Sequence, residues 1–407
     1  MNVAETTTTE GPGRGRIVTL DLLRGLALLG MLMAHCRKLL GGDLAGWGDN
    51  PAGWFITLLV AEKDRAVFAF LFGVGFAVML RQLEKKGLGV GPIFLRRLGV
   101  LYAIGFAVEV LTPLPILRDY AWWGLALLVL KEGTTKSLLV IAVLSLAAWP
   151  LREAASTAVS TLKIGWEATV RSERAQIAGR EAQLRDYDAQ VTSGTYAEVV
   201  WTRAVAIVEH PLALARYTPD IYLTLFILGL LALRHGIFAD PWRHRRLIIG
   251  FMVAGVVAWA AYWWWLPGVS AAGLPPKLAL RLPTGFGFLD EQWLAFTAIG
   301  GVALLVARRP VWATWLAPLG WVGKMALTNY LVHAAVLDFL AAHYGLGWRI
   351  PGWAEIGLAL GLFAAMALGS RWWLQRYQYG PVEWAWRCLT YWQRQPLRRA
   401  AGAVAAE

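Results

Sequence analysis

Cysteine is nearly absent from this chain: Cys36 and Cys388 are the two thiols in 407 residues. So few thiols cannot form a cysteine metal cluster. The topology argued below sets the pair on opposite faces of a membrane, so no disulfide is expected between them. The six histidines lack the close pairing of a metal-binding motif, and neither a Walker-type loop nor a nucleophile elbow occurs. No metal is therefore expected. Charge is sparse, at 16% of residues, against about 25% in an average soluble chain. An apolar leader is missing as well. The first sixteen residues, MNVAETTTTEGPGRGR, are polar, which argues against a cleavable signal peptide and reads as a disordered tail.

What is abundant is apolar and aromatic. Hydrophobic residues make up 57% of the chain, with 23 Trp and a mean hydropathy of +0.48, above the roughly 45–50% apolar content of soluble domains. The expected fold is all-α, a polytopic transmembrane helix bundle of about ten spans. Apolar runs place these near 17–36, 66–80, 98–112, 116–130, 137–150, 219–234, 246–266, 288–307, within 322–343, and 354–374. A charged knot, Glu62-Lys63-Asp64-Arg65, interrupts the apolar run 54–80: either a short re-entrant segment precedes the second span, the preferred reading, or one long helix begins at the surface.

The chain then divides into a tail (1–16), an N-terminal bundle (17–150), an insertion (151–216), a C-terminal bundle (217–375) and a basic, aromatic tail (376–407) suited to a membrane interface. The insertion holds eight Lys/Arg and eight Asp/Glu, a balance that keeps it out of the bilayer. It reads as an extramembrane helical hairpin, broken at Thr192-Ser193-Gly194, with Thr195 and Glu198 at capping-box spacing. Its heptads are too poor to claim a coiled coil with a second copy, so a homo-oligomer stays open.

The net charge of +12 invites a nucleic-acid partner. Lys and Arg instead concentrate in short segments between alternate spans: the N-terminal tail, 81–97, 131–136, 234–246, 308–309 and 371–399. Topology explains this bias, and no nucleic acid is expected. Both termini should be cytoplasmic, in a bacterial-type inner (plasma) membrane, with 151–216 outside and membrane lipids around the bundle.

The stretch 17–36, IVTLDLLRGLALLGMLMAHC, is long enough to span yet carries Asp21, Arg24 and His35. Charges at that depth are costly and usually face a protein interior or a cavity. Arg24 and His35 are eleven residues apart, close to three helical turns and about 16 Å of rise, so they share a face with Asp21. Helix-end capping by Asp21 and Arg24 is the plainer alternative. The outer half also gathers Glu109, Asp290, Glu291, Asp338 and His343, with His333 nearer mid-membrane. The inner half holds Arg24, Lys324 and Asn329, with Lys63 and Arg65 dipping in.

Each has a structural alternative. Asp290 and Glu291 could serve a helix dipole, His343 and Asp338 could sit at a wet interface, His333 could be a core histidine, and Lys324 could snorkel. LFGVGFAV reads as a small-residue packing face. A cationic inner mouth with an imidazole farther out fits an anionic, phosphate-bearing donor that docks from the cytoplasm and meets a general base.

RIVTLDLLRGLALLGMLMAH (16–35) resembles the first helix of the membrane acyltransferase superfamily, which includes surface-glycan O-acetylases. That helix carries an Arg and, eleven residues on, a His essential to acyl transfer, matching Arg24 and His35. More of the chain resembles the related YeiB-like family, whose C-terminal domain was long catalogued as of unknown function. The matching pieces are FAFLFGVGFA (68–77), SGTYAEVVWTR (193–203), GKMALTNYLVH (323–333) and YGPVEWAWRCLTYWQRQPLRR (379–399). Members of that family often have Asn where His35 stands, Arg where Lys324 stands and Gln where His333 stands.

The resemblance implies an integral-membrane acyltransferase. It would move an acetyl or short acyl group from acyl-CoA (acetyl-CoA), the donor substrate, to a hydroxyl or amine of a glycan, lipid or small-molecule acceptor. His35 is the expected general base, with Asp290 and Glu291 orienting it or the substrate. Arg24 is expected on the donor phosphates, Lys324 and Asn329 beside the donor, and Asp21, Glu109 and His333 beside the acceptor. A transporter or exporter of a small polar or anionic solute is the alternative, weakened by the lack of repeat similarity between the two bundles. A membrane scaffold is a third.

Overall fold

The computed structural model describes residues 18–41, 51–114, 116–209, 221–271, 293–350 and 352–399. Asp290 and Glu291 lie outside the described residues. Those described form helices and one isolated antiparallel bridge, Tyr377 to Arg398. Four helical stretches are long and apolar enough to cross a membrane: Val18–Leu40, Pro51–Lys85, Arg245–Trp265 and Trp353–Leu374. Shorter apolar helices accompany them.

Helix α1 (Val18–Leu40) is the axis of the bundle. Its apolar run supplies the helix, and Asp21 in the first turn with Arg37 and Lys38 in the last agrees with the helix dipole. Its packing is unusually close at two glycines. A Cβ on Gly25 would overlap the Leu319 carbonyl, and one on Gly323 would overlap the Asp21 carbonyl. Here α1 and α13 (Ala317–Lys324) touch backbone to backbone, which only glycine permits.

The region expected as a re-entrant segment is different. Helix α2 (Pro51–Leu59) and helix α3 (Lys63–Lys85) run in one direction along α1. Gly53 packs on the Arg37 guanidinium, while a Cβ at Gly30 would touch Val60 and Asp64. The pair is a single descending helix broken at Val60–Glu62. The break is fixed by Glu62 in the left-handed region, φ 68°, a conformation uncommon and costly for a residue with a Cβ. The charged knot thus sits inside the bundle: Lys63 and Asp64 are buried, and Lys63 Nζ donates to the Thr57 carbonyl at 3.1 Å.

Helix α4 (Val90–Leu111) begins eight residues before the expected 98, so Arg96 and Arg97 are helical rather than in a loop. Helix α5 (Leu117–Leu130) packs on α4. Helix α6 (Thr135–Ile164) runs past the expected end at 150 into the insertion. Instead of two helices, the insertion contains the end of α6, then α7 (Trp166–Ser193) and α8 (Tyr196–Glu209), with an extra break at Gly165, φ 81°. The capping box forms: the Thr195 N–H and hydroxyl each donate to Glu198 at 2.8 Å. These bonds hold the exposed Glu198 carboxyl below its ordinary pKa.

Helix α9 (Ile221–Arg234) seats on α3 through reciprocal glycines, Gly73 against the Phe226 carbonyl and Gly229 against that of Phe70. The packing face read in LFGVGFAV is therefore real. Helices α10 (Arg245–Ala271) and α11 (Trp293–Arg308) follow. After a short turn, α12 (Val311–Trp315), the span expected within 322–343 proves to be two helices, α13 and α14 (Ala326–Ala341), broken at Met325. Helix α15 (Trp353–Leu374) and a short tail helix, α16 (Pro381–Tyr391), complete the chain. The tail helix docks on α4 and α14. There the Glu383 carboxylate accepts from the Leu327 and Thr328 N–H groups at 2.6 and 3.0 Å, capping the start of α14.

Candidate active site

The break before α14 and the straight run of α1 set two histidines against each other. His35 Nδ1 lies 3.0 Å from His333 Nε2, and the rings stack with centroids 5.3 Å apart. His333, expected deeper than His35, is at the same level. His333 is 1% exposed, and its Nδ1 faces the Asn329 carbonyl at 3.2 Å. The Asn329 side chain in turn donates to the Val322 carbonyl at 3.1 Å and to Ser370 at 2.9 Å. Asn329 is therefore a brace behind His333, tying α13, α14 and α15 together. His35 itself is half-buried, with Lys38 and Arg65 within electrostatic reach. The break at Glu62 is what brings Arg65 there: the Arg65 carbonyl accepts from the Tyr120 hydroxyl at 2.8 Å, and its guanidinium pairs with Glu62.

A cavity of about 160 Å³ lies one helical turn from the histidines, neither of which lines it. Met31 and Tyr330, one turn from His35 and His333 respectively, line its upper part with Ile116 and Tyr120. Tyr330 stands edge-on to His333, at 5.3 Å, and donates to the Leu114 carbonyl. The lower part is lined by Arg24, Arg97 and Trp386. Between them α3 offers Gly75, where an added Cβ would meet nothing within 4 Å.

Arg24 pairs with Asp21 at 2.9 Å, so Asp21 is engaged with Arg24. Arg97 lies over the Trp386 ring at 3.7 Å, and the Trp386 indole donates to the Arg97 carbonyl at 3.0 Å. Among the described residues no carboxylate pairs with Arg97, and Arg24 and Arg387 are within electrostatic reach of it. A half-buried guanidinium beside two others, at the end of an otherwise apolar cavity, favours an anion. Lys324 is half-buried at the end of α13 but does not line the cavity.

The opposite rim is built from ion pairs. Arg118 meets Glu109 side-on: Nη2 donates to Oε1 at 3.0 Å, and Nε lies 2.9 Å from Oε2. Glu109, expected beside the acceptor, is thereby engaged in structure. Arg203, reaching in from α8, meets Asp338 at 3.2 Å and the Leu111 carbonyl at 3.1 Å. Asp338 also accepts from Tyr344, and it is buried rather than at a wet interface, whereas His343 is exposed. Arg37 and the fully buried Glu355 lie 3.5 Å apart. Sequence reasoning missed Arg97, Trp386, Arg203 and Glu355. Arg97 was legible only as part of a topogenic basic cluster, and Arg203 only as a solvated hairpin charge.

Two family models match, on separate parts of the chain. Residues 16–178 match the catalytic domain of heparan-alpha-glucosaminide N-acetyltransferase, and residues 232–393 match a family described as a protein of unknown function, DUF418. The first segment contains Arg24, His35 and Arg97, and the second contains Asn329, His333 and Trp386. Over nearly the whole chain the sequence is similar to three uncharacterized proteins. YxaH of Bacillus subtilis is 26% identical, covering 94% of this chain and 96% of its own length. A 39.9 kDa protein of Bacillus acidopullulyticus is 25% identical over the same shares. YeiB of Escherichia coli is 26% identical, covering 96% and 98%. No solved structure matches significantly. The chain is thus similar to YeiB-like proteins and, in its first part, to an N-acetyltransferase catalytic domain.

Proposed function

We propose that this YeiB-like membrane protein is an acyltransferase that moves an acetyl or short acyl group from acyl-CoA to a hydroxyl or amine. The observation that carries the reading is a cavity that runs from an arginine-lined mouth to Met31 and Tyr330, each one turn from a member of the His35–His333 pair, with Arg24 and His35 inside the segment matching an acetyltransferase catalytic domain. Arg24 and Arg97 bind the donor phosphates from the cytoplasmic side, the side given by the distribution of Lys and Arg. The apolar cavity wall receives the acyl-bearing arm and brings the thioester toward the histidines.

His35 takes the proton of the acceptor O–H or N–H. The acceptor's electron pair forms the new bond to the acyl carbon, the C–S bond breaks, and the proton passes to the departing thiolate. Arg65 and Lys38, within electrostatic reach of His35, would favour negative charge developing on the acyl oxygen. The acceptor is a glycan, lipid or small molecule at the opposite face.

Purified protein titrated with acetyl-CoA tests this. A ligand that binds only the folded state raises the Tm. The rise should appear in the wild type, persist in His35→Ala and require about 10- to 100-fold more acetyl-CoA in Arg24→Ala and Arg97→Ala. No rise with acetyl-CoA or longer acyl donors would reject the donor and leave solute transport, which needs no acyl-CoA.

A further inference from the structure

We infer that His333 is a positioning residue that holds His35 in the one tautomer with a bare Nε2. The inference rests on the acyltransferase reading for its purpose, but its geometry stands alone. A carbonyl oxygen can only accept, so the hydrogen in the 3.2 Å contact between His333 Nδ1 and the Asn329 carbonyl belongs to His333. A neutral imidazole carries one N–H. His333 Nε2 is therefore bare and must accept, which obliges His35 Nδ1, 3.0 Å away, to donate. A neutral His35 then has no hydrogen on Nε2. That nitrogen has no hydrogen-bond partner among the described residues, and the side chain is half-buried rather than sealed.

The chain of donors runs one way: His35 Nδ1–H to His333, and His333 Nδ1–H to the Asn329 carbonyl. It ends on a backbone carbonyl whose residue is braced through its side chain to Val322 and Ser370. No member can reverse its donor sense without placing two hydrogens, or none, in one of the contacts. When His35 accepts the acceptor's proton on Nε2, it becomes an imidazolium whose Nδ1–H already points at a lone pair. The positive charge is met by a hydrogen bond in place before the reaction, which requires no reorganisation. His333 touches neither donor nor acceptor in this account and acts through His35.

The test is ring-¹⁵N histidine NMR on the full chain in nanodiscs, with His35 assigned by loss of its signals in His35→Gln. In the wild type, His35 should show a protonated Nδ1 and a bare Nε2. His333→Gln, whose carboxamide oxygen can still accept, should keep that pattern. His333→Leu, which cannot accept, should shift His35 toward the Nε2–H form. In turnover, His333→Leu should lose about 10²-fold or more in kcat with the donor KM unchanged, as when a base is left in the wrong tautomer. His333→Gln should stay within a few-fold of wild type. A wild-type His35 protonated on Nε2 overturns the inference, as does a His333→Leu protein with the wild-type pattern. The spectra need no turnover. A bare Nε2 without any acyl transfer would therefore support the tautomer and defeat the acyltransferase reading separately.

Discussion

The two ends of the cavity use the same residue, arginine, in opposite ways. At the histidine end and the rim above it, Arg37 and Arg203 meet the buried carboxylates of Glu355 and Asp338, and Arg118 meets the half-buried Glu109. At the other end Arg24 is paired with Asp21, but Arg97 beside it has an indole face and no carboxylate among the described residues, with Arg387 also within electrostatic reach. Buried pairs are closed circuits. They fix helices in place, and removing one partner strands a charge. An unpaired, half-buried guanidinium is stabilised only when an anion arrives. The difference separates charges that build the protein from charges that await a ligand.

His35→Ala should be the most severe variant for turnover. A lost general base costs about 10²–10⁴-fold in rate, and the protein should retain its Tm; wild-type transfer rates would remove His35 from the chemistry. On the paired rim, Asp338→Ala should lower unfolding free energy by about 3–5 kcal/mol by leaving Arg203 buried and alone. The measurement is thermal unfolding in detergent, with acetyl-CoA affinity in the folded protein unchanged. If donor affinity fell as much as stability did, the division between the two ends would be wrong.

On the unpaired mouth, Arg97→Ala should do the reverse. Donor affinity should drop about 10- to 100-fold, the worth of one charge-assisted hydrogen bond, while the apo protein's Tm stays close to wild type. Gly75→Leu sharpens the contrast further. Its Cβ enters open space, so the helix tolerates it, but the side chain occupies the cavity and should abolish the acetyl-CoA-dependent Tm rise. Gly75→Ala should retain that rise.

The smallest effect concerns Glu198, far from both ends. Its carboxyl is held below the ordinary Glu pKa by Thr195. The capping contribution is therefore present above the unfolded-state value and is lost as pH falls through the folded one. Limited proteolysis of the insertion should accelerate in acid for the wild type and be less pH-dependent in Glu198→Gln.

Much of the fold was legible because helices in a membrane announce themselves locally. The apolar run of 17–36, the glycines of LFGVGFAV and the Thr195–Glu198 box each carry their reason within a few residues. The Arg24/His35 spacing was legible for the same cause. What sequence could not show depends on distant partners. His35 and His333 are 298 residues apart, and no periodicity pairs them. Charge in 81–97 was read as topology, although Arg97 turns inward once α4 starts at Val90. The knot at 62–65 read as the boundary between a re-entrant segment and the second span. A left-handed Glu62 instead keeps the helix descending and carries Arg65 to His35.

The tail helix has a practical consequence. Because Glu383 caps the start of α14, and α14 carries both Asn329 and His333, the far end of the polypeptide governs the alignment of groups buried some fifty residues upstream. A truncation that trims the basic, aromatic end as a dispensable extension removes a structural keystone, and a library built on such a shortened chain would be screening a protein with its imidazoles out of register.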